Sequence, residues 1–313
     1  MTSNDNWYMG CFTDTGPIKE KNEDYYSMKI VKDRDGEEMA MAAVADGMGG
    51  YQGGDLASRT AVQLLVAWWE KHAQNYLKRD DPIPAMLSAL NELCEEINKH
   101  LLQEKQKAGT TLSILLLYKG MYGICHVGDS RIYRLKEGQV ELQTLLRGEM
   151  EEAGLKEAPE LYRTDELKMD LELYQLTEDH TWVEQQVRAG RLSKEAARTH
   201  PKRNVLTQCL GVKGGVDPYN ATGTYQPSDL FMLCSDGFYS MFSHQQITHL
   251  LERREKKYVD LQKTAVDFVT LANQSGTSDN TTVMLVRNAF VEEQERSKKH
   301  TPVRKSLFKR LFK

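Results

Sequence analysis

The stretch TTLSILLLYKGMYGICHVGDSRIYRL, residues 110–135, contains three short apolar segments that are separated by glycines. Residues 110–118, 122–127 and 131–135 are each rich in β-branched and aromatic side chains, which favour strands. Short strands that follow one another in this way are typical of hairpins and meanders. The stretch therefore predicts part of an antiparallel sheet.

Two longer segments before this stretch have helical periodicity instead. Residues 57–77 and 83–103 repeat apolar side chains at the spacing of an amphipathic helix. By the same criteria, the rest of the chain contains predicted strands at 230–234 and 281–287 and predicted helices at 181–189, 243–252 and 258–272. Strands grouped apart from helices predict a layered α+β fold.

The composition narrows the classes of protein to which this chain can belong. Its 313 residues are 40% hydrophobic, enough for one large core, and its net charge of -4 disfavours a nucleic-acid-binding protein. The five cysteines are scattered, without a CxxC pair or a secretory leader, which indicates a reducing, cytosolic setting. The apolar runs are far shorter than the ~20 residues of a membrane span. We therefore expect a cytoplasmic protein that binds no nucleic acid.

Two segments stand outside the patterned domain, which we predict to span residues 1–290. Residues 144–174 form a charge-rich, helix-prone insert that Pro159 interrupts, either a solvated surface excursion or a partner-binding element. The tail 291–313 carries seven Lys or Arg and no acid over its last 17 residues, with its apolar side chains on one helical face. We expect either a frayed, soluble tail or a peripheral contact with the inner membrane surface or an acidic partner.

Four aspartates stand at predicted turns or strand ends. Asp46 opens the run DGMGGYQGG, residues 46–54, in which five glycines in nine residues predict a loop that allows close approach of the backbone to a ligand. The others are Asp129, Asp236 and Asp279, and each alone is typical of a turn residue or helix cap. Together they predict an oxygen-ligand site for Mg²⁺ or Mn²⁺, since the His and Cys spacing of a zinc site is absent.

Eight motifs carry a resemblance to a known family. They are, in order, GCFTDTGPIKEKNEDYY, AVADGMGGYQGGDLAS, AGTTL, CHVGDSRIYRL, LTEDHTW, HPKRNVLTQCLG, CSDGFYSM and SGTSDNTTVML. The chain resembles the PPM family of metal-dependent protein phosphatases, the PP2C type, in its bacterial form. The resemblance covers about residues 8–288 apart from the insert.

This resemblance implies both a fold and a set of metal ligands. The fold would be an α+β, four-layer α-β-β-α sandwich of two antiparallel sheets flanked by helices, with the metals at one end. Asp46 would bridge two metal ions, and the carbonyl of Gly47 would bind the second. Asp236 and Asp279 would complete the first ion. Asp129 would help to hold a third, weaker ion together with Asp236.

Four further positions refine this expectation. By the same resemblance, Glu23 would approach the second metal ion directly or through water, and Asp24 would orient metal-bound waters. Lys19 stands where family members commonly place an arginine that grips phosphate; because lysine lacks the bidentate guanidinium fork, we expect weaker substrate binding. Met48 stands where animal members carry a histidine proposed as the acid, and bacterial relatives share the methionine, so the identity of the acid stays open.

The function that the resemblance implies is hydrolysis of phosphoserine and phosphothreonine in proteins, with two or three Mn²⁺ or Mg²⁺ ions as cofactors. A metal pair ~3.5–4 Å apart lowers the pKa of a shared water towards neutrality and offsets charge on phosphoryl oxygens. Water would attack phosphorus directly, without a phosphoenzyme. The implied partners are phosphorylated proteins and a cognate serine/threonine kinase, and we expect a monomer. Residues 181–215 resemble a mobile flap found near the active site in bacterial relatives.

Two other functions are open to the residues. Cys125, Gly128 and Arg131 fit the CxxGxxR phosphate loop of cysteine-dependent phosphatases, although an alternating strand rather than a helix follows the arginine. The other alternative is a catalytically weak or inactive pseudophosphatase that binds phosphoproteins as a scaffold. The lysine at the arginine position favours a scaffold, whereas the retained aspartates disfavour it. A nucleotide-binding loop is a weak match, because the glycine run lacks a GK[ST] ending.

Overall fold

The computed structural model describes residues 7–49, 53–104, 108–137, 171–255 and 260–288, in which eleven strands and seven helices are found. The strands are β1 (Trp7–Asp14), β2 (Asp24–Lys32), β3 (Glu38–Met48), β4 (Gly109–Thr110), β5 (Leu112–Tyr118), β6 (Met121–Val127), β7 (Arg131–Glu137), β8 (Leu171–Gln175), β9 (Tyr219–Thr224), β10 (Leu230–Cys234) and β11 (Thr281–Asn288). The helices are α1 (Gly54–Tyr76), α2 (Pro82–Gln103), α3 (Trp182–Arg188), α4 (Lys194–Thr199), α5 (Asp236–Tyr239), α6 (His244–Glu255) and α7 (Leu261–Gln274). Within these ranges, no helix combines the length and the apolar character that crossing a membrane requires.

The strands form two antiparallel sheets. The first has the order β1-β11-β10-β7-β8, and the second has the order β2-β3-β5-β6-β9, with the short β4 paired to the end of β3. Within the second sheet, β5 and β6 form the hairpin that the sequence predicts, whereas β7 crosses to the first sheet. The turn between β6 and β7 therefore connects the two sheets, and it carries Asp129.

Apolar side chains fill three spaces between four layers. Between the sheets, Val44 and Leu115 pack in one cluster with Phe231 and Leu233. Helices α1 and α2 cover the outer face of the second sheet, and α6 and α7 cover the outer face of the first. Full burial of one Leu or Phe side chain contributes ~1.5–3 kcal/mol to stability, so the three clusters hold the layers together. The predicted α-β-β-α sandwich is confirmed.

The central strand β3 is buried on both faces, so the sequence carries no alternating pattern that would predict it. Met41 and Ala43 face the helices, and the alternating residues Ala42 and Val44 face the other sheet. A strand covered on both sides is continuously apolar and lacks the alternation of a half-buried strand. This one is also rich in alanine, a residue that is depleted in strands.

Two predicted boundaries are wrong. Residues 46–48 belong to β3 rather than to the predicted loop 46–54, because the last two of them pair with β4. The strand predicted for residues 110–118 is interrupted at Thr111, whose amide donates to the Asp46 carbonyl at 2.9 Å instead of continuing the ladder. Both differences from the predicted boundaries place backbone groups of β3 and of Thr111 beside Asp46.

The end of the predicted insert is also different from the expectation. Residues 171–174 are not helical but belong to β8, because Leu173 completes the outer core of the first sheet and β8 pairs with β7. The rest of the insert, 144–170, and the tail 291–313 lie outside the described residues. The division into a domain of residues 1–290 and a tail therefore stays a prediction. The helices predicted at 57–77 and 83–103 are confirmed as α1 and α2.

Candidate active site

The carboxylates predicted from the sequence lie at strand ends of both sheets. Asp46 on β3 and Asp24 on β2 are register partners in the second sheet. Asp236 follows β10 and Asp279 precedes β11 in the first sheet, while Asp129 lies in the turn that connects the sheets. The other four carboxylates all raise the pKa of Asp46 through their negative charge. The fold therefore brings these five residues together.

Electrostatic repulsion is strong within this cluster. Burial, followed by the charges of Asp24 and Asp236, raises the pKa of Asp46 well above its ordinary range. Burial, with the charge of Asp279 next, raises the pKa of Asp236 to about 6, although Asp236 also hydrogen-bonds Asp46. Both side chains keep some accessible surface, so the cluster opens to solvent. Fully ionised carboxylates at this density require nearby positive charge.

Two of the carboxylates are more deeply buried. Asp24 Oδ2 accepts hydrogen bonds from Ser235 Oγ at 2.7 Å and from Thr282 Oγ1 at 2.6 Å. These bonds favour the ionised form, but burial outweighs them and raises the pKa of Asp24 to about 7. Burial, followed by the charge of Asp236, raises the pKa of Asp129 to about 8. The pKa values of both carboxyl groups therefore lie close to neutral pH.

Lys19 is a cation at the exposed side of the cluster. Its Nζ lies 2.6 Å from Asp279 Oδ1, and both side chains are more than a third exposed. The loop that carries it is fixed by Asn280, whose Nδ2 donates to the carbonyls of Thr15 at 2.8 Å and Lys21 at 2.9 Å. The predicted substrate-binding lysine is thus a part of the site, and in this structure it is bound to a carboxylate.

Glu23 lies beside the same loop. Its amide donates to Asn280 Oδ1 at 2.8 Å, and its carboxylate accepts a hydrogen bond from the amide of Gly54. Burial raises the pKa of Glu23, and the positive charge of Lys19 opposes that shift. The structure therefore places both acidic residues of the NED motif, Glu23 and Asp24, at the cluster.

Several positioning residues were not singled out from the sequence. Thr111 Oγ1 accepts from the amide of Asp46 at 2.9 Å, and Asn280 orders the loop of Lys19. Ser235 and Thr282 hold Asp24 from the other sheet. Their signal is present in the quoted motifs AGTTL, CSDG and TSDNTT, in which a hydroxyl or amide residue accompanies each aspartate or precedes a strand.

The residues present fit hard divalent cations. Asp24 Oδ1 and Asp236 Oδ1 are buried without a hydrogen-bond partner, which is unfavourable unless a cation or its water compensates. The backbone at Gly47 lies very close to the start of α1, because a Cβ added to Gly47 would lie 2.1 Å from the carbonyl oxygen of Gly54. Only glycine fits at this position of the site. All the donors are oxygens, the ligands that Mg²⁺ and Mn²⁺ prefer.

No three Asp, Glu, His or Cys side chains of the described residues are arranged to surround one ion by themselves. Mg²⁺ in particular keeps several water ligands and takes only one or two carboxylates from a protein. Asp279 is moreover engaged by Lys19. The carboxylates are therefore spread around a space rather than closed on a point, which suits ions that remain partly hydrated and does not suit structural zinc.

The structure argues against a cysteine nucleophile. Cys125 is completely buried in β6, and its Sγ lies 3.8 Å from Cys94 Sγ. This sulfur contact, together with burial, raises the pKa of Cys125 well above that of a free thiol, whereas a nucleophile must be a thiolate. Arg131 does not serve it, because its guanidinium binds Asp179 through Nε at 3.0 Å and through Nη2 at 2.6 Å. The residues of the CxxGxxR match lie at the end of β6, in the turn and at the start of β7, so no phosphate-binding helix follows the arginine.

Comparison with known proteins identifies the family. The protein phosphatase 2C profile matches residues 19–154. The serine/threonine phosphatase stp of Listeria monocytogenes is 31% identical over 293 residues, which is 90% of this chain and 96% of that protein. The chain belongs to the protein phosphatase 2C family. As a member, it is a metal-dependent protein phosphatase.

Solved structures of phosphatases share the fold. The S. agalactiae serine/threonine phosphatase superposes with a TM-score of 0.68 at 25% identity, over 90% of this chain and 99% of that one. The catalytic domain of the phosphatase PstP, solved in complex with two manganese ions, has a TM-score of 0.64 at 23% identity, over 90% and 97% of the two chains. This chain therefore has the same fold as these phosphatases, and that fold positions its carboxylates.

Proposed function

We propose that this phosphatase hydrolyses phosphoserine and phosphothreonine in proteins by direct attack of water, without a phosphoenzyme intermediate. The observation that carries the proposal is the carboxylate cluster at the strand ends, with two buried oxygens that lack partners. Such a cluster repels a phosphate dianion unless divalent cations neutralise it. The relative from Listeria monocytogenes, named a serine/threonine phosphatase, supports the choice of substrate.

The proposed ligand roles are those that the family resemblance implies, and they use residues that the fold brings together. Asp46, the Gly47 carbonyl, Asp236 and Asp279 would hold two Mn²⁺ or Mg²⁺ ions, and Asp129 a third with Asp236. When bound, the ions would supply a water of lowered pKa and charge neutralisation on the phosphoryl oxygens. The chain contributes the placement of these carboxylates, since residues of both sheets fix them before substrate arrives.

Residues around this core would orient the reaction. Asp24, held by two hydroxyl groups from the other sheet, would orient the waters that the metal ions bind. Glu23 would approach the second ion directly or through water. Lys19 would turn from Asp279 to the substrate phosphate as a point charge, which is less directional than a guanidinium. The fully buried Cys125 supports water rather than a side chain as the nucleophile.

The biological setting is proposed on the same basis. A phosphatase for phosphoserine and phosphothreonine requires a serine/threonine kinase of the same cell, and the scattered free cysteines suit the cytoplasm. We expect a monomer. The basic tail 291–313 would either remain a frayed, soluble end or give peripheral contact with the inner membrane surface or with an acidic partner.

Phosphate release from a phosphothreonine peptide tests the proposal. With Mn²⁺ we expect turnover that excess EDTA abolishes. Asp236→Asn should lower kcat by about 10²–10³, the usual effect of removing one electrostatic contact to a transition state. Its circular dichroism should be unchanged, because asparagine has nearly the shape of aspartate and removes one negative charge from a cluster of carboxylates that repel one another. Asp80→Asn, an exposed aspartate in the turn after α1, is the matched control and should keep wild-type rates.

Three results would contradict the proposal. Turnover that survives EDTA would exclude metal dependence, and wild-type rates in Asp236→Asn would exclude that ligand. Binding of the phosphopeptide without turnover would instead identify the chain as a scaffold pseudophosphatase.

A further inference from the structure

The segment 181–215, called the flap below, is fastened at both ends to the candidate active site. At its start, the amide of His180 donates to the carbonyl of Gly128, directly before a site aspartate, at 2.7 Å. Near its end, Leu210 and Thr110 exchange two backbone hydrogen bonds of 3.0 and 2.9 Å, and Thr110 belongs to β4, which pairs with the end of β3. The flap therefore emerges from the rim of the site.

The base of the flap is closed upon itself. The amide of Trp182 donates to the carbonyl of Val205 at 2.8 Å, and the amide of Thr207 donates to the carbonyl of His180 at 2.7 Å. The ring of Trp182 also stacks on His200, with ring centroids 4.9 Å apart. The residues between these contacts, including α3 and α4, are thus held as one unit beside the site.

The flap is strongly basic in an otherwise acidic protein. It carries seven Lys or Arg and two acidic residues, whereas the whole chain carries 41 basic and 45 acidic residues. All seven basic side chains are exposed. They are Arg188, Arg191, Lys194, Arg198, Lys202, Arg203 and Lys213.

Most of this charge has no partner in the described part of the chain. Arg188 pairs with Glu178, and no other flap lysine or arginine has a carboxylate within ion-pair distance there. Lys202 lies over the Trp182 ring, 4.8 Å from its centroid. Like charges that repel one another on an exposed surface favour the approach of an acidic partner.

The geometry points to the flap as a docking surface for acidic residues that flank the phosphorylated residue of a protein substrate. This inference rests on the proposed function, and it adds the substrate class. The phosphate itself is assigned to the carboxylate cluster and its cations, so the flap cations are left to contact the chain on either side. At physiological salt, charges act over about 8 Å, so only residues near the phosphorylated one are affected.

Two phosphothreonine peptides of equal length test the inference, one with Glu and Asp around the phosphothreonine and one with Gln and Asn there. Wild-type enzyme with saturating Mn²⁺ should have a kcat/KM about tenfold higher for the acidic peptide, roughly twofold for each of three exposed ion pairs. The difference should reside in KM and should disappear in 0.5 M NaCl, roughly the range in which screening becomes complete.

The test variant combines Arg191→Gln, Lys194→Gln and Arg198→Gln, none of which touches the site. It should hydrolyse both peptides with kcat/KM values within about twofold of each other. The control combines Lys71→Gln, Lys99→Gln and Lys263→Gln, which remove the same charge from exposed positions on α1, α2 and α7. The control should keep the preference, and p-nitrophenyl phosphate should be hydrolysed equally by all three proteins.

Several outcomes would overturn the inference. Equal kcat/KM of the wild type on both peptides, or a preference that survives in the flap variant, would contradict it while leaving the proposed function intact. Equal rates on the peptides together with flap-dependent binding to phosphatidylglycerol vesicles would assign the surface to a membrane instead. Phosphate release from neither peptide would overturn the proposed function and this inference with it.

Discussion

At the scale of single residues, the contact of Lys19 with Asp279 places a lysine ammonium where a divalent cation would need the same carboxylate. The distance of 2.6 Å corresponds to a charge-assisted hydrogen bond. A metal ion bound by Asp279 would share this carboxylate with Lys19, whose positive charge opposes the ion. We therefore expect the lysine to compete with the metal, in addition to its proposed contact with phosphate.

Replacement of Lys19 by methionine should strengthen metal binding. A nearby unit charge opposes a divalent ion by about 1 kcal/mol at this exposure, so the Kd for Mn²⁺ measured by titration calorimetry should fall about fivefold in Lys19→Met. The KM for a phosphopeptide should rise, because a phosphate contact is lost. Lys21→Met, an exposed neighbour without an ion pair among the described residues, is the control. An unchanged Kd for Mn²⁺ in Lys19→Met would contradict the competition.

At the scale of elements, one ion pair connects the start of β7 to the segment that leads into the flap. The Arg131 guanidinium binds both oxygens of Asp179, donates to Tyr133 Oη at 3.0 Å and lies over the Tyr239 ring. The adjacent residue Glu178 forms an ion pair with Arg188, and this pair is far more exposed than the pair of Arg131 with Asp179. Buried pairs are costly to break from one side, whereas exposed pairs contribute little.

The two adjacent carboxylates should therefore differ sharply on removal. Asp179→Ala should lower the free energy of unfolding by about 2–3 kcal/mol, because the partly buried guanidinium loses its carboxylate partner. Glu178→Ala should lower it by less than about 1 kcal/mol. Urea denaturation followed by fluorescence measures both. Equal losses in the two variants would show that the Arg131 pair does not hold the base of the flap.

At the scale of the whole molecule, we expect the carboxylate cluster to make stability depend on pH and on metal. The pKa of Asp24 is raised to about 7 and that of Asp129 to about 8. The folded protein therefore binds protons in this range that the unfolded chain has already released. Stability contributed by these groups is present at lower pH and is lost as the pH rises through the folded-state values.

The metal-free protein should accordingly become less stable as the pH rises from 6.5 to 8. We expect a loss of about 1–3 kcal/mol in EDTA, seen as a Tm lower by several degrees in differential scanning fluorimetry. Mn²⁺ should raise Tm and flatten the slope, since it binds the ionised carboxylates of the folded state. Asp24→Asn should also flatten the slope in EDTA. A Tm that rises with pH in EDTA would contradict this account.

Much of the secondary structure can be predicted from the sequence, because the patterns that indicate it involve residues close together in the chain. The periodicity of α1 and α2 and the apolar segments of β5, β6 and β7 depend on neighbours within a few residues, and they predicted the layered fold. The order of the motifs identified the aspartates at the site. A short motif keeps its residue types together in the chain, so these candidates could be named without knowing where the strands would meet.

Long-range pairing was not accessible in this way. The doubly buried strand β3 has no alternation to detect, and the register that sets Asp24 opposite Asp46 is a property of two strands rather than of either one. Two contacts at the site likewise join residues that are remote in sequence: the salt bridge of Lys19 with Asp279, and the hydrogen bonds of Asp24 with Ser235 and Thr282. The burial of Cys125 also depends on segments that are far away in the chain. Distances, burial and pKa shifts arise only when the sheets stack, because they depend on which groups share a region from which water is excluded.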